Sequence, residues 1–272
     1  MLKPLAKEVF LYISTLVAVA SCQTKIPEIS EASQQARVAA TGTVWVLEWV
    51  GSPKLIGPLR ETIYRYDLVF SDWTPDSELS VLSAKGLSRW QTASDLFLKG
   101  LVVSQEAFRF SDGVFDISFA PVISPGELSP MATLEFRDNP SGARQFKFAN
   151  PKTRLNFGGI AKGMCVGEVV ELFTSLGVTR FRVDAGGGNL AYTSASPSAH
   201  VHFESRSRSF QGDKQHIFNP RKPNVVIRSQ AAVLCEDSQA LSGSRLGAFS
   251  DAYSTILVIN PHFALPANCR AL

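Results

Sequence analysis

A strand, a paired-glycine turn and a helix start follow one another within one short segment, Leu155–Gly163. Glycine has no Cβ, so Gly158 and Gly159 let the backbone come close to a bulky ligand. The first turn of the following helix presents free N–H groups and a positive dipole end, which suit a phosphate. Lys162 adds a mobile positive charge at that point. The segment favours an anionic ligand that carries phosphate, although such a corner also serves simply to turn a chain.

The N-terminus has the pattern of a targeting segment. Lys3 and Lys7 precede an apolar run, Val9–Ala20, that is too short to span a bilayer. Small residues then lead into Cys22, as in a bacterial lipobox, where the cysteine is lipidated. We therefore predict a lipoprotein signal peptide over residues 1–21 and an anchor on the extracytoplasmic, periplasmic face of a membrane. An ordinary secretory signal and a buried helix are the alternatives.

Composition bounds what the rest of the chain can be. With 272 residues, of which 45% are hydrophobic, it can form one large domain or two interleaved lobes with a sizeable core. The formal net charge is only +3 and there is no block of Lys and Arg, which argues against a nucleic-acid partner. We predict a polar tether over residues 22–40 and the folded domain over residues 41–272.

Three cysteines follow the lipobox, and their spacing fits no metal-binding template. Cys165 lies in an apolar helical pattern, which predicts a buried thiol that acts as a small hydrophobic residue. Cys235 and Cys269 can pair in an oxidising compartment. Their pairing stays open at the level of sequence.

Hydrophobic periodicity predicts a mixture of helices and strands without a strict βαβ rhythm, which favours an α+β fold. A turn at Thr74–Glu78 leads into a short helix. The other predicted helices are Leu55–Phe70, Ser94–Phe110, Val166–Leu176 and Asp251–Ile259, and the predicted strands are Thr43–Val50, Thr179–Asp184, Asn189–Tyr192 and Val225–Leu234.

A carboxylate and a hydroxyl four residues apart, Asp251 and Thr255, fall on one face of the last predicted helix. Hard oxygen ligands of this kind suit Mg²⁺, which also accepts water and phosphate oxygens. The alternative is an Asp favoured by the helix dipole at an N-terminus and a Thr in the core. Asp116 is the other unexpected carboxylate, because it interrupts an apolar strand pattern and a buried carboxylate needs partners.

Three further positions have both a structural and a ligand-binding interpretation. Trp73 precedes a turn, where it can stack on a flat ring or cover a core edge. His216 can contact a phosphate or lie on the surface near a turn. Thr41 precedes Gly42 and the first strand, where glycine lets a cofactor approach.

The order of these segments along the chain resembles that of the ApbE family, the FAD:protein FMN transferases. The resemblance covers Thr41 to Ile259, and its most specific parts are Gly-Gly-Ile-Ala-Lys-Gly at 158–163 and Asp-Gly-x-Phe-Asp-Ile at 112–117. It implies mixed and antiparallel sheets with packed helices, in two interleaved lobes with the ligand site between them. Many members are extracytoplasmic lipoproteins, in agreement with the N-terminal pattern.

The resemblance also implies an activity. The family binds FAD and Mg²⁺, transfers the FMN half to a Thr or Ser hydroxyl of a partner flavoprotein, and releases AMP. Asp251, Thr255 and the carbonyl of Gly159 would hold the metal, Lys162 would meet the pyrophosphate, and Asp251 or His216 would take the hydroxyl proton. The flavin or adenosine site would be lined by Thr41, Trp73, Val114, Phe115 and Asp116, with Asn156 and His216 nearby.

Several positions depart from the family pattern. Asn156 and Gly167 stand where the family has Asp, Met164 replaces an aromatic residue, and Asn219 replaces an Asp after His216. The family's Ser-Gly-x-Tyr stretch is not recognisable in 205–210. The loss of two carboxylates near the expected site keeps two alternatives open: a FAD pyrophosphatase that yields FMN and AMP, and a FAD-binding lipoprotein without catalysis.

Overall fold

A seven-stranded antiparallel sheet forms the centre of the molecule. The computed structural model describes residues 33–119, 129–193, 201–208, 230–236 and 243–272. The predicted signal peptide, Cys22, His216 and Asn219 lie outside these ranges. None of the helices in the described ranges has both the length and the apolar sequence needed to cross a bilayer.

Two smaller antiparallel sheets, of three and of two strands, accompany it in the α+β architecture that the sequence predicts. Within the described ranges, the helices and strands in chain order are β1 (Ser33–Ala40), β2 (Thr43–Val50), α1 (Ile56–Phe70), α2 (Glu78–Lys85), β3 (Gln91–Thr92), α3 (Asp95–Phe110), β4 (Ser118–Phe119), β5 (Glu135–Asp138), β6 (Arg144–Lys147), β7 (Arg154–Leu155), α4 (Ala161–Ser175), β8 (Phe181–Ala185), β9 (Asn189–Thr193), β10 (Val201–Arg208), β11 (Gln230–Glu236), α5 (Gly243–Ile259) and β12 (Cys269–Ala271). The strand order is β1-β2-β8-β9-β10-β11-β12 in the large sheet and β3-β6-β5 and β4-β7 in the two smaller ones.

Burial alternates from residue to residue along β1, β2 and β8, so these strands turn one face toward the core. On β2, Trp45, Leu47 and Trp49 are buried, and the residues between them are partly exposed. The ring of Phe173 from α4 packs at 5.9 Å from Trp49 and at 5.1 Å from Phe181 of β8. These contacts fix α4 against the middle of the sheet.

The predicted tether is wrong over its last eight residues, because Ser33–Ala40 forms β1. This strand pairs with β2 along its whole length, from Ser33 opposite Val50 to Ala40 opposite Thr43. Its burial alternates, with Val38 and Ala40 buried and Arg37 exposed. A strand at the edge of a sheet with one solvated face can be largely polar, and this composition led to the tether prediction.

Helix α5 is longer than its sequence pattern indicates. It begins at Gly243, eight residues before the predicted start at Asp251. Asp251 therefore lies in the middle of the helix. The alternative of an N-terminal Asp stabilised by the helix dipole is wrong, since that effect is confined to the first turn.

Helices α4 and α5 cross with their backbones almost in contact. Each helix contributes two glycines four residues apart, Gly163 and Gly167 from α4 and Gly243 and Gly247 from α5. A Cβ on Gly163 would overlap the carbonyl oxygen of Gly247, and a Cβ on Gly167 would overlap that of Gly243. No larger residue can occupy either α4 position without separating the helices, because the obstructing atoms belong to the backbone.

Cys235 and Cys269 form a disulfide between β11 and β12, where the two residues lie directly opposite each other. The bond closes a loop of 34 residues in sequence and holds the C-terminal strand against the sheet. Among the described residues, Cys165 is the free cysteine; it is fully buried, as predicted, and burial raises the pKa of its thiol.

We predict that Gly167→Ala lowers the free energy of unfolding by about 3 kcal/mol or more, because the new methyl group meets a backbone carbonyl that cannot move aside. Urea unfolding followed by circular dichroism measures the change. The control is Gly57→Ala in α1, where a Cβ would meet open space. This variant should differ from the wild type by no more than about 1 kcal/mol. Equal stability of Gly167→Ala and the wild type would contradict the tight crossing.

We also predict that removing the disulfide lowers the free energy of unfolding by about 3–4 kcal/mol, the value expected for a loop of this length. Urea unfolding of the wild type with and without reductant measures it. The double variant Cys235→Ala, Cys269→Ala should match the reduced wild type and show no response to reductant. A wild type that is unaffected by full reduction would contradict the prediction.

Candidate functional site

The carboxylate of Asp251 lies against the first turn of α4. The backbone N–H of Gly163 donates a hydrogen bond of 3.1 Å to Asp251 Oδ2. This contact joins two segments that are 88 residues apart in the chain. The structure thus brings the carboxylate of α5 to the glycine corner at 158–163, as the hypothesis of a shared phosphate and metal site requires.

Thr255 and Phe115 meet at the same corner. A Cβ on Gly159 would lie 3.1 Å from Thr255 Oγ1 and 3.1 Å from the Phe115 ring. Glycine at this position therefore leaves the backbone of Gly159 directly beside the Thr255 hydroxyl. One helical turn before Thr255, Asp251 supplies its carboxylate to the same place. The Asp251 carboxylate and the Thr255 hydroxyl thus both lie at the glycine corner, one beside Gly163 and the other beside Gly159.

Burial dominates the electrostatics of Asp251, which is only 3% exposed. Desolvation raises its pKa from 3.8 to about 6, against the hydrogen bond from Gly163, the positive charge of Lys162 and a hydrogen bond from the Asn189 side chain. These three interactions lower the pKa, but by less than the desolvation of the carboxylate raises it. A buried carboxylate in this position is stabilised by a nearby cation.

The donor set fits Mg²⁺ better than a transition metal. Within the described ranges, no group of three or more His, Cys, Asp or Glu side chains is placed to hold a metal ion. A zinc site would need such a group. Mg²⁺ is commonly held by one or two carboxylates, with water and substrate phosphate completing its shell. Asp251, Thr255 and the Gly159 carbonyl match this pattern.

The N-terminus of α4 presents the positive end of the helix dipole, and its Ala161 and Gly163 N–H groups already have acceptors. Its cap residue is Ile160, whose side chain makes no capping hydrogen bond, and Lys162 follows in the first turn. Just before the helix, Asn156 Oδ1 accepts a 2.7 Å hydrogen bond from the Gly158 N–H. An Asn oxygen makes this turn as well as an Asp oxygen does, so the departure from the family pattern preserves the shape of the corner.

Trp73 stands beside this corner with 88% of its surface exposed. Its neighbour Asp72 accepts a 3.5 Å hydrogen bond from Asn156 Nδ2, which links the Trp73 segment to the glycine turn. The interpretation of Trp73 as cover for a core edge is wrong, because the ring is almost entirely solvated. An exposed indole beside a phosphate corner is a suitable surface for a flat ring.

The 114–116 segment is mostly structural. Val114 and Phe115 are buried in the core. Asp116 does not interrupt a strand as predicted, because it lies in the turn just before β4. Its Oδ1 accepts 2.7 Å hydrogen bonds from the backbone N–H and from Oγ of Ser118, and its other oxygen, Oδ2, accepts a hydrogen bond from the Ser129 hydroxyl. This carboxylate holds the turn together, which explains why a charged residue stands in an apolar sequence.

Thr41 forms the hairpin turn between β1 and β2 together with Gly42. Both residues have positive φ, 52° and 70°, a conformation in which a β-branched residue is strained. The Thr41 N–H donates to Asp67 Oδ1 at 3.0 Å, and its Oγ1 accepts from the Trp45 indole at 3.0 Å. These bonds hold the strained turn in place, and the role of Thr41 toward a ligand stays a prediction.

Sequence reasoning missed three residues that lie next to the cluster: Asn189, Ser205 and Ser207. Asn189 reaches Asp251, and Ser207 Oγ lies 3.0 Å from Thr255 Oγ1. Single polar residues in strands leave no periodic signal. The spacing of the four glycines at the helix crossing was visible in the sequence and would have indicated that α4 and α5 are neighbours.

We predict that Asp251→Asn is more stable than the wild type at pH 8 without Mg²⁺. The rise in the Asp251 pKa from 3.8 to about 6 means that ionising this carboxyl costs the folded protein about 3 kcal/mol of stability. The amide of the variant would turn its NH₂ group toward the Asn189 side chain, which is itself a donor. Because this contact is lost, we expect a gain in stability of only about 1–2 kcal/mol. Because the folded protein binds the Asp251 proton more tightly than the unfolded chain does, the gain should appear as the pH rises from about 4 through 6.

Urea unfolding at pH 4 and pH 8, in EDTA and in Mg²⁺, measures this effect. Mg²⁺ should stabilise the wild type and leave Asp251→Asn unchanged. Asp138→Asn, an exposed position on β5, is the matched control and should behave as the wild type. If Mg²⁺ still stabilised the Asp251→Asn variant, Asp251 would not be a ligand of the metal ion.

Comparisons with known proteins agree with this geometry. The ApbE family matches residues 41–204, more than half of the chain. No curated protein matches the sequence. Among solved structures, the chain is similar to the apo form of the Pseudomonas stutzeri flavinyl transferase ApbE, with a TM-score of 0.64 and 17% identity over 84% of each chain.

The Vibrio cholerae flavin transferase ApbE is also similar, with a TM-score of 0.61 and 15% identity over 82% of this chain and 87% of that one. The ApbE protein of Thermotoga maritima has a TM-score of 0.60 and 14% identity over 84% of this chain and 86% of that one. At such low identity these structures establish the fold, and the family match establishes the kinship. The chain belongs to the ApbE family.

Proposed function

We propose that this protein is a Mg²⁺-dependent FAD:protein FMN transferase. It takes FMN from FAD, attaches it to a Thr or Ser hydroxyl of an acceptor flavoprotein, and releases AMP. The observation that carries the proposal is the hydrogen bond between Asp251 and the Gly163 N–H. It joins a buried carboxylate to the helix N-terminus suited to a pyrophosphate. Family membership and the similarity to flavin transferases support the same activity.

Three groups of the chain would hold the ion: the Asp251 carboxylate, the Thr255 hydroxyl and the Gly159 carbonyl. When bound, Mg²⁺ neutralises charge on the phosphate oxygens. Lys162 would bind the pyrophosphate from the protein side, at the positive end of the α4 dipole. The exposed ring of Trp73 offers a stacking surface for the flavin or the adenine.

The transfer replaces the phosphoanhydride bond between the two halves of FAD with a phosphoester bond to the acceptor. The acceptor hydroxyl oxygen attacks the phosphorus of the FMN half, in line with the oxygen that leads to AMP. The bond to that oxygen breaks, and AMP departs with the electron pair. The hydroxyl proton passes to a base. The candidates for this base are Asp251 and His216.

We also propose that the protein works outside the cytoplasm, anchored through a lipid on Cys22. Its disulfide is typical of an oxidising compartment, and the lipobox pattern precedes the fold. Ser33, the first residue of β1, follows Cys22 by 11 residues. At about 3.5 Å per extended residue, the folded domain stays within about 40 Å of the anchor. The acceptor would then be a protein at the same membrane surface.

We predict that purified protein releases AMP from FAD only when Mg²⁺ and an acceptor flavoprotein are both present. Chromatography of the nucleotides, with EDTA as the metal-free control, measures it. AMP release without an acceptor would indicate a FAD pyrophosphatase instead. Bound FAD without AMP release in the presence of acceptor would indicate a binding protein.

Lys162→Gln should lower the rate of AMP release by about 10²–10³-fold, the range expected for losing one charge-stabilising group. Lys152→Gln replaces an exposed lysine outside the cluster and is the matched control. Its rate should equal that of the wild type. Equal rates for the two variants would exclude Lys162 from the pyrophosphate site.

A further inference from the structure

Two serines of β10 face α5 directly beside the candidate metal ligands. Ser205 and Ser207 are two residues apart, so they share one face of the strand. Ser205 Oγ donates a 2.7 Å hydrogen bond to Asn189 Oδ1 on the neighbouring β9. It also accepts a 3.0 Å hydrogen bond from Ser250 Oγ of α5. Ser205 is therefore fully engaged between the sheet and the helix.

The bond from Ser205 determines how the Asn189 amide is oriented. With its oxygen occupied by Ser205, Asn189 has its NH₂ group left to donate, and its side chain lowers the pKa of the Asp251 carboxyl. The Gly163 N–H holds Oδ2 of the same carboxylate. The Gly163 N–H of α4 thus fixes one oxygen of the Asp251 carboxylate, and the Asn189 amide of β9 is the additional neutral donor that acts on it.

Ser207 contacts the second proposed ligand, Thr255, from strand β10. Its Oγ lies 3.0 Å from Thr255 Oγ1 and 2.8 Å from Ser254 Oγ. Thr255 Oγ1 gives its own proton to the carbonyl oxygen of Asp251 at 3.2 Å. Because Thr255 Oγ1 directs its proton back along the helix, it keeps one lone pair for a cation besides the one that faces Ser207.

We propose that Asn189, Ser205 and Ser207 are positioning residues that hold the side chains of Asp251 and Thr255 in the orientation that binds Mg²⁺. This inference rests on the proposed function. The three residues act through the two ligands. Neutral partners of this kind hold a ligand rigidly, and their loss weakens metal affinity by about 10–100-fold.

The test is a Mg²⁺ titration of the purified protein by calorimetry, without FAD. Ser207→Ala and Asn189→Ala should weaken Mg²⁺ binding by about 10-fold or more. Ser207→Thr keeps the hydroxyl and should stay within about threefold of the wild type. The matched control is Ser104→Ala on α3, since the buried Ser104 hydroxyl has no hydrogen-bond partner in the part of the chain that the structure describes. This control should not change Mg²⁺ affinity.

Thermal unfolding in EDTA accompanies the titration. Ser207 is only half-buried, so Ser207→Ala should unfold within a few degrees of the wild type. In the AMP-release reaction, the Mg²⁺ concentration needed for half-maximal rate should rise for Ser207→Ala, while kcat at saturating Mg²⁺ returns to within about threefold of the wild-type value. A general loss of structure would lower kcat at every Mg²⁺ concentration.

Wild-type Mg²⁺ affinity in both Ala variants would overturn the inference, as would equal losses in Ser207→Thr and Ser207→Ala. A wild type that binds Mg²⁺ but releases no AMP with acceptor present would refute the transferase function, and the titration would still decide the positioning role. A wild type that does not bind Mg²⁺ would overturn both.

Discussion

The close crossing of α4 and α5 is the contact on which the candidate site depends. Four glycines let the two helix backbones meet, so that Asp251 in the middle of α5 reaches the N–H of Gly163 in the first turn of α4. A Cβ on Gly163 would also lie only 2.7 Å from the Cβ of Asp251. A methyl group at one of these glycines would push the helices apart and would therefore move the carboxylate away from the glycine corner.

The crossing has an electrostatic consequence, because it carries a carboxylate into the core. Burial raises the Asp251 pKa despite the donors around it. The surrounding groups orient the carboxylate but supply too little positive charge to compensate for its desolvation. A site arranged in this way favours the binding of a cation at the expense of the stability of the metal-free fold.

The structure also accounts for two departures from the ApbE pattern. Gly167 packs against the backbone of Gly243, where a carboxylate would not fit in this chain. Asn156 makes the turn before Gly158 with its amide oxygen. Both substitutions preserve the packing of the corner, and the groups proposed to bind the ion, Asp251, Thr255 and Gly159, remain in place beside it. Neither departure therefore removes a group that is proposed to bind the ion.

Local sequence patterns were sufficient for most of the elements. Helical spacing of apolar residues predicted α1, α3 and α4 to within a few residues, and β-branched and aromatic residues predicted β2. Each of these signals lies within one element, so no knowledge of distant contacts was needed. The strand β1 was missed because its polar residues are compatible with an edge position only when β2 is known to be its partner.

The sequence by itself determined the glycine corner, the spacing of Asp251 and Thr255 on one helix face, and the cysteines available for pairing. Only the tertiary structure decided that Cys235 faces Cys269, that Asp116 closes a turn, and that Asn189, Ser205 and Ser207 surround the two proposed ligands. The physical reason is that these contacts depend on strand register and on how closely two helices approach. Both are set by packing between segments far apart in the chain, and no local periodicity encodes them.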